Sequence, residues 1–159
     1  MSDPYLMIIN YILCYTTFFI CYLLALAFIG VFLPVKRILL PVLIFSVIAY
    51  ISKAGLQTSA LVHTIVVVIT CTMLLYLFNK IDIIFSLIGS LLSFTCLTLG
   101  SLLLACPLLV KLGYAIPLKL NGIEIDWLLL NLFELVSPTI ILIILKTTKF
   151  SLMKNISVV

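Results

Sequence analysis

The feature that most constrains this chain is an apolar run over about 5–32 that holds no charged side chain. A helix needs roughly 20 such residues to cross the hydrocarbon core of a bilayer. This run exceeds that length, and further apolar runs follow it. A stretch of this kind belongs either in the core of a large soluble protein or in lipid. Composition decides between them: 65% of the 159 residues are hydrophobic and 9% are charged. A soluble domain carries about a quarter charged residues. This chain could not cover its own surface, so lipid must serve as part of its solvent.

The runs are continuous rather than alternating, which points to helices and away from a transmembrane barrel. The start, Met1-Ser2-Asp3-Pro4, is acidic, and the apolar run behind it is too long for a cleavable secretory signal. We therefore expect one all-α membrane domain over 1–159, a bundle of about five transmembrane helices. The spans are expected near 5–32, 38–52, 60–78, 83–106 and 127–145, with a short basic tail over 146–159. Asp3 and Pro4 form a helix-start signal. Pro34 with Lys36 and Arg37 closes the first span, and Pro41 is expected in the first turn of the second, where proline is tolerated. Pro107 is expected to end the fourth.

Between the last two spans, 118–125 alternates apolar and polar residues about Asn121-Gly122. That pair predicts a short extracytoplasmic β-hairpin with Lys119 opposite Glu124. Asp126 then caps the fifth span and Trp127 stands as an interfacial anchor. Lys36, Arg37, Lys80, Lys146, Lys149 and Lys154 fall on one side of such a bundle, and Lys53, Lys111 and Lys119 on the other. The positive-inside rule then puts the N-terminus outside and the C-terminus in the cytoplasm of a multi-pass cell-membrane protein.

Glu134 is the most informative residue. It lies seven positions past Trp127, about 10 Å below the outer interface at 1.5 Å per residue. An intramembrane carboxylate is costly and is a functional-site hypothesis in its own right. It also precedes Pro138 by four positions, and that proline cannot donate to the Glu134 carbonyl, so Pro138 marks a candidate hinge. Asn131 and Ser137 share its face. His63, the lone histidine, opens the third span from the outer side at a depth from which it could approach Glu134. Against these readings stand a carboxyl hydrogen-bonded for packing alone and an interfacial histidine in contact with headgroups. Ser86, Gly89, Ser90 and Ser93 recur at helical spacing, a pattern that lets helices approach closely in lipid.

Several chemistries find no support. The five cysteines show no metal-ligand pairing, and no cofactor, metal cluster, nucleotide loop or nucleic-acid patch is expected. His63 and Cys71 are eight residues apart on one helix, about 12 Å along its axis, too far for a nucleophile and its base. An enzyme is therefore not expected.

The order of Lys36-Arg37, Lys53, a short loop, His63-Thr64, and Lys80-Ile81 before Ser86 resembles the N-terminal membrane-spanning sensor region of GHKL-type histidine kinases in Firmicutes. The similarity runs over about 36–149. Gly100 and Ser101 depart from it, standing where such relatives often carry an acidic residue. The resemblance implies a stand-alone bacterial sensor module without a kinase domain, whose signal passes to a separate membrane or cytoplasmic protein or through a homo-oligomer. The expected function is thus a non-enzymatic sensor in contact with the lipid bilayer, with candidate sensing residues Glu134, His63 and Asn131. A small transport component and a structural assembly subunit are the alternatives.

Overall fold

The structure, a computed structural model, describes residues 4–52, 59–113 and 132–148. These form α1 (Pro4–Ile29), α2 (Val35–Tyr50), α3 (Ala60–Asn79), α4 (Ile83–Gly100), a π-turn (Ser101–Ala105), α5 (Cys106–Lys111) and α6 (Val136–Thr148). No strand occurs among the described residues. Three helical runs are long and apolar enough to cross a membrane: Tyr11–Ile29, Leu61–Asn79 and Ile83–Lys111. The chain is an all-α membrane protein. The predicted hairpin, Asp3, Lys53, Asp126, Trp127 and Asn131 lie outside the described residues.

The helix ends follow from local chemistry. α1 is a single helix that stops at Ile29, short of the expected Phe32, because Gly30 takes φ 88°. In that conformation Val31 donates back to the Leu26 carbonyl at 2.9 Å and Gly30 to Ala27 at 3.1 Å. This pair of hydrogen bonds closes the orphan carbonyls of the last turn, and glycine reaches the conformation without Cβ strain. Ser59 caps α3, its hydroxyl accepting from Val62 N–H. Asp82 caps α4, accepting from Ile84 N–H at 2.8 Å.

Two prolines sit differently from expectation. α2 begins at Val35 rather than 38, so Pro41 lies inside the helix and not in its first turn. It leaves the Arg37 carbonyl without its usual donor. Pro107 does not end the fourth span: the helical run continues to Lys111. A proline ring collides with the carbonyl four residues back and offers no N–H. The π-turn resolves this by lengthening the ladder, with Cys106 N–H donating to Ser101 five residues earlier. Regular helix then restarts, and Pro107 falls in the first turn of α5.

α1 and α4 form the centre of the bundle and make its most extensive interface. α3 packs on α4 and α2, α2 on α1, and α6 on both α1 and α4. Phe45 of α2 is the hub of the apolar core. Its fully buried ring meets Phe18 at 4.7 Å, Phe94 at 6.4 Å and Tyr22 at 6.5 Å between centroids. The interior also holds Ser46, Ser52, Ser86, Ser90 and Ser93, while Leu61, Leu77, Ile84, Leu102 and Leu103 stand on the outside. Water would not tolerate that distribution. Lipid does, because association there comes from close packing and hydrogen bonds rather than from hiding apolar surface.

Candidate functional site

Glu134 belongs to a helical turn over 132–134 that breaks at Leu135, one turn before Pro138. A break in the helix thus lies just upstream of Pro138. The cause is the one acting at Pro107: the ring and missing N–H of proline disturb the carbonyl four positions back. Regular helix resumes with Thr139 N–H donating to the Leu135 carbonyl at 3.2 Å. Pro138 itself is buried.

These two interruptions meet. A Cβ placed on Gly100, the last residue before the π-turn, would stand 2.5 Å from Ser137 Cβ and 3.8 Å from the Glu134 carbonyl oxygen. Two backbones touch here because Gly100 and Ser137 are small. Beside the contact lies a cavity of about 280 Å³, lined by Cys96, Leu99, Gly100, Leu103, Leu104, Ser137 and Ile141. It is almost wholly apolar and suits a lipid chain or another apolar group better than an ion.

Below this level the polar groups gather on the buried face of α4. Ser86, Gly89, Ser90 and Ser93 are all buried there. A Cβ on Gly89 would stand 2.9 Å from the Ala25 carbonyl oxygen of α1. Ser90 lies beside the Cys71 thiol of α3, and Ser93 beside the Cys21 thiol of α1. Cys21 is in electrostatic reach of Cys71, Cys96 and the Glu134 carboxylate.

His63 is bonded to the end of the α2 segment. Its Nδ1 is 2.7 Å from the hydroxyl of Ser52, a buried residue just past the end of α2. The same hydroxyl lies 2.8 Å from the Ala49 carbonyl oxygen. The Ser52 hydroxyl thus sits between the Ala49 carbonyl and His63 Nδ1, and which of the pair donates follows the histidine tautomer. This bond pins α3 to α2, whereas the segment bearing Glu134 leads into α6, which packs on α1 and α4. Sequence reading offered no signal for Ser52 as the histidine's partner, because the two are joined only by the fold.

A second cross-helix bond closes the other end of the bundle. Asn79, at the end of α3, donates through Nδ2 to the hydroxyl of Tyr22 on α1 at 2.7 Å. Tyr22 is fully buried. Tyr22→Phe removes the acceptor and leaves a part-buried amide donor in its place. The expected cost is about 1 kcal/mol, the usual net worth of such a bond. Denaturant titration of the variant in lipid nanodiscs measures it, and a midpoint equal to that of the wild type would deny the bond a structural role.

The five cysteines are free thiols. Among the described residues no three histidine, cysteine or acidic side chains come together in a way that holds a metal ion. Comparison with known proteins finds no matching family model, no similar curated protein and no similar solved structure.

Proposed function

We propose that this chain is a non-enzymatic membrane sensor or signal-regulating module, in a five-span arrangement with the C-terminus in the cytoplasm. The observation that carries the reading is the contact between two interrupted helices at Gly100 and Ser137, beside Glu134 and an apolar cavity. A π-turn and a proline break are each places where a helix can change register by one hydrogen bond. Set against each other, they make an element with two packings, which is what a signalling device requires. A ligand in the cavity would favour one packing. α6 then carries the change toward Lys146 and a separate signalling protein at the cytoplasmic face.

The same observation favours a second reading, a small transport component. Carriers place their binding sites where helices are discontinuous, because the interrupted backbone supplies free dipoles there. The two readings differ in partner. Photo-crosslinking from the Lys146 end in native membranes should capture a histidine kinase or response regulator if the chain senses. A transport ATPase in its place would favour the carrier. Pro138→Ala restores a donor for the Glu134 carbonyl and should change the yield of the captured signalling protein several-fold. Identical capture by the wild type, Pro138→Ala and Glu134→Gln would sink the sensing reading.

A further inference from the structure

The cavity beside Gly100 and Ser137 has a volume of about 280 Å³ and opens toward the outside of the bundle. Leu99, Leu103 and Leu104 line it and are themselves exposed. In a membrane protein that side is continuous with the lipid-facing surface. The back is closed where Gly100 meets Ser137. Water does not suit this space. A buried water needs two to four polar partners, and the lining side chains offer the Ser137 hydroxyl and the Cys96 thiol, a weak one. Left unfilled, the lining would forfeit its dispersion contacts on that side. Acyl chains are the apolar groups present at solvent concentration along this surface, so they have first claim on it. An engineered cavity of roughly 150 Å³ takes one benzene, and by that standard this one takes about ten to twelve carbon atoms.

A headgroup distinguishes one lipid from another, and the fold gathers cations at one end of the bundle. Ile141 lines the cavity, and Lys146 follows it by five positions in the last turn of α6. At 1.5 Å per residue Lys146 stands about 7.5 Å along the axis from Ile141 and about 13.5 Å from Ser137. Half the hydrocarbon thickness of a bilayer is about 15 Å. A phospholipid with its phosphate at Lys146 therefore brings the end of its chain to the level of Ser137 and Gly100. Leu145 packs with Leu24 and Ala27 near the end of α1, so Lys36 and Arg37, just past α1, stand at the same end. Lys80 joins them, since it follows Asn79, which bonds Tyr22 of α1. All four cations are exposed. Asp82, the described acid nearest them in the chain, is engaged in capping α4.

We propose that this cavity is a binding site for an anionic phospholipid. One acyl chain enters beside α4 and α6 as far as Gly100 and Ser137, and the phosphate is held at Lys146. The assignment names the ligand of the sensing reading and rests on that reading for the consequence of binding, though not for the binding itself. A chain seated against the π-turn would hold the two interrupted helices in one packing.

Photo-labelling of the full chain in vesicles tests this. The probes are phosphatidylglycerol and phosphatidylcholine, each with a diazirine near the end of one acyl chain, and peptide mass spectrometry maps the adducts. The phosphatidylglycerol probe should label 96–104 and 137–141 several-fold more densely than lipid-facing Leu61 and Leu77 of α3, and more densely than the phosphatidylcholine probe does. Lys146→Glu should lower the phosphatidylglycerol yield at the cavity about fivefold, the usual weight of one interfacial cation, and leave the phosphatidylcholine yield in place. Leu103→Trp fills the cavity from its exposed edge and should lower both yields there, while labelling at Leu61 and Leu77 stays. No signalling protein is present, so the lipid site and the sensing reading, which capture of a partner tests, can fail separately. Even labelling over all lipid-facing helices would mean bulk lipid only and overturn the proposal. Equal wild-type yields from the two headgroups, or undiminished labelling in folded Leu103→Trp, would do the same. The wild-type map needs no variant to fold.

Discussion

Gly89→Val should separate the two central helices and destabilise the bundle by about 3 kcal/mol, the upper part of the range for overpacking a tight interface. A Cβ on Gly89 would stand 2.7 Å from Ile29 Cδ1 and 2.9 Å from the Ala25 carbonyl oxygen. The isoleucine methyl can rotate away. The carbonyl cannot, because it is backbone of α1 and already engaged in that helix. Even alanine would require α1 and α4 to move apart by several tenths of an ångström, and valine adds two methyls to the same space. Since this is the most extensive interface in the bundle, the loss should spread to the packing of α3 and α6. Denaturant titration in nanodiscs, followed by circular dichroism, measures it. A valine variant with the wild-type midpoint would show that α1 and α4 do not meet at Gly89.

Phe45→Ala should cost about 2–3 kcal/mol and loosen α2 first. In a soluble core such a truncation costs 3–5 kcal/mol, part of it the transfer of the ring out of water. In lipid that part is absent, since the separated helix would present the ring to acyl chains. What remains is the cavity and the loss of three aromatic contacts, the closest of which brings Phe18 to 4.7 Å at 62°. Edge-on pairs of this kind contribute about 0.5–1.5 kcal/mol each. α2 has sixteen residues, and Pro41 interrupts its hydrogen-bond ladder. Its place therefore rests heavily on what Phe45 touches. Hydrogen exchange should rise in α2 before it rises in α1 or α4. Phe45→Leu, which refills most of the space, should recover more than half the loss. Uniform exchange across the bundle would show that the ring does not anchor α2 in particular.

The local signals of the sequence were readable where one residue determines its own surroundings. Asp82 at the start of α4 and Ser59 before α3 bond backbone N–H groups two and three residues on, so theirs are local signals, although the expected spans made no use of them. Gly30 carried a legible stop signal that the apolar pattern around it obscured. Pro107 carried another, read as an end when the fold made it a restart. A proline in a continuous apolar run announces a disturbance, but whether the helix stops, kinks or widens depends on what packs against it. At the other proline, Glu134 and Pro138 gave the weakened turn, while the break at Leu135 and its partner across the bundle, Gly100, came from the fold.

The sequence by itself determined that this chain enters a membrane and does so as helices. Its apolar runs exclude water as the only solvent, and lipid forbids unsatisfied backbone in any exposed open form. It could not say which side of each helix faces inward. In water, sidedness is written as apolar against polar. In lipid both sides are apolar, and helices associate through small residues, hydroxyls and shape. Only the tertiary structure decided that Ser93 lies buried beside Cys21, that His63 bonds Ser52, and that two broken helices touch at Gly100 and Ser137. Each of these depends on two segments distant in the chain coming within a few ångströms, a relation that no single run of residues contains.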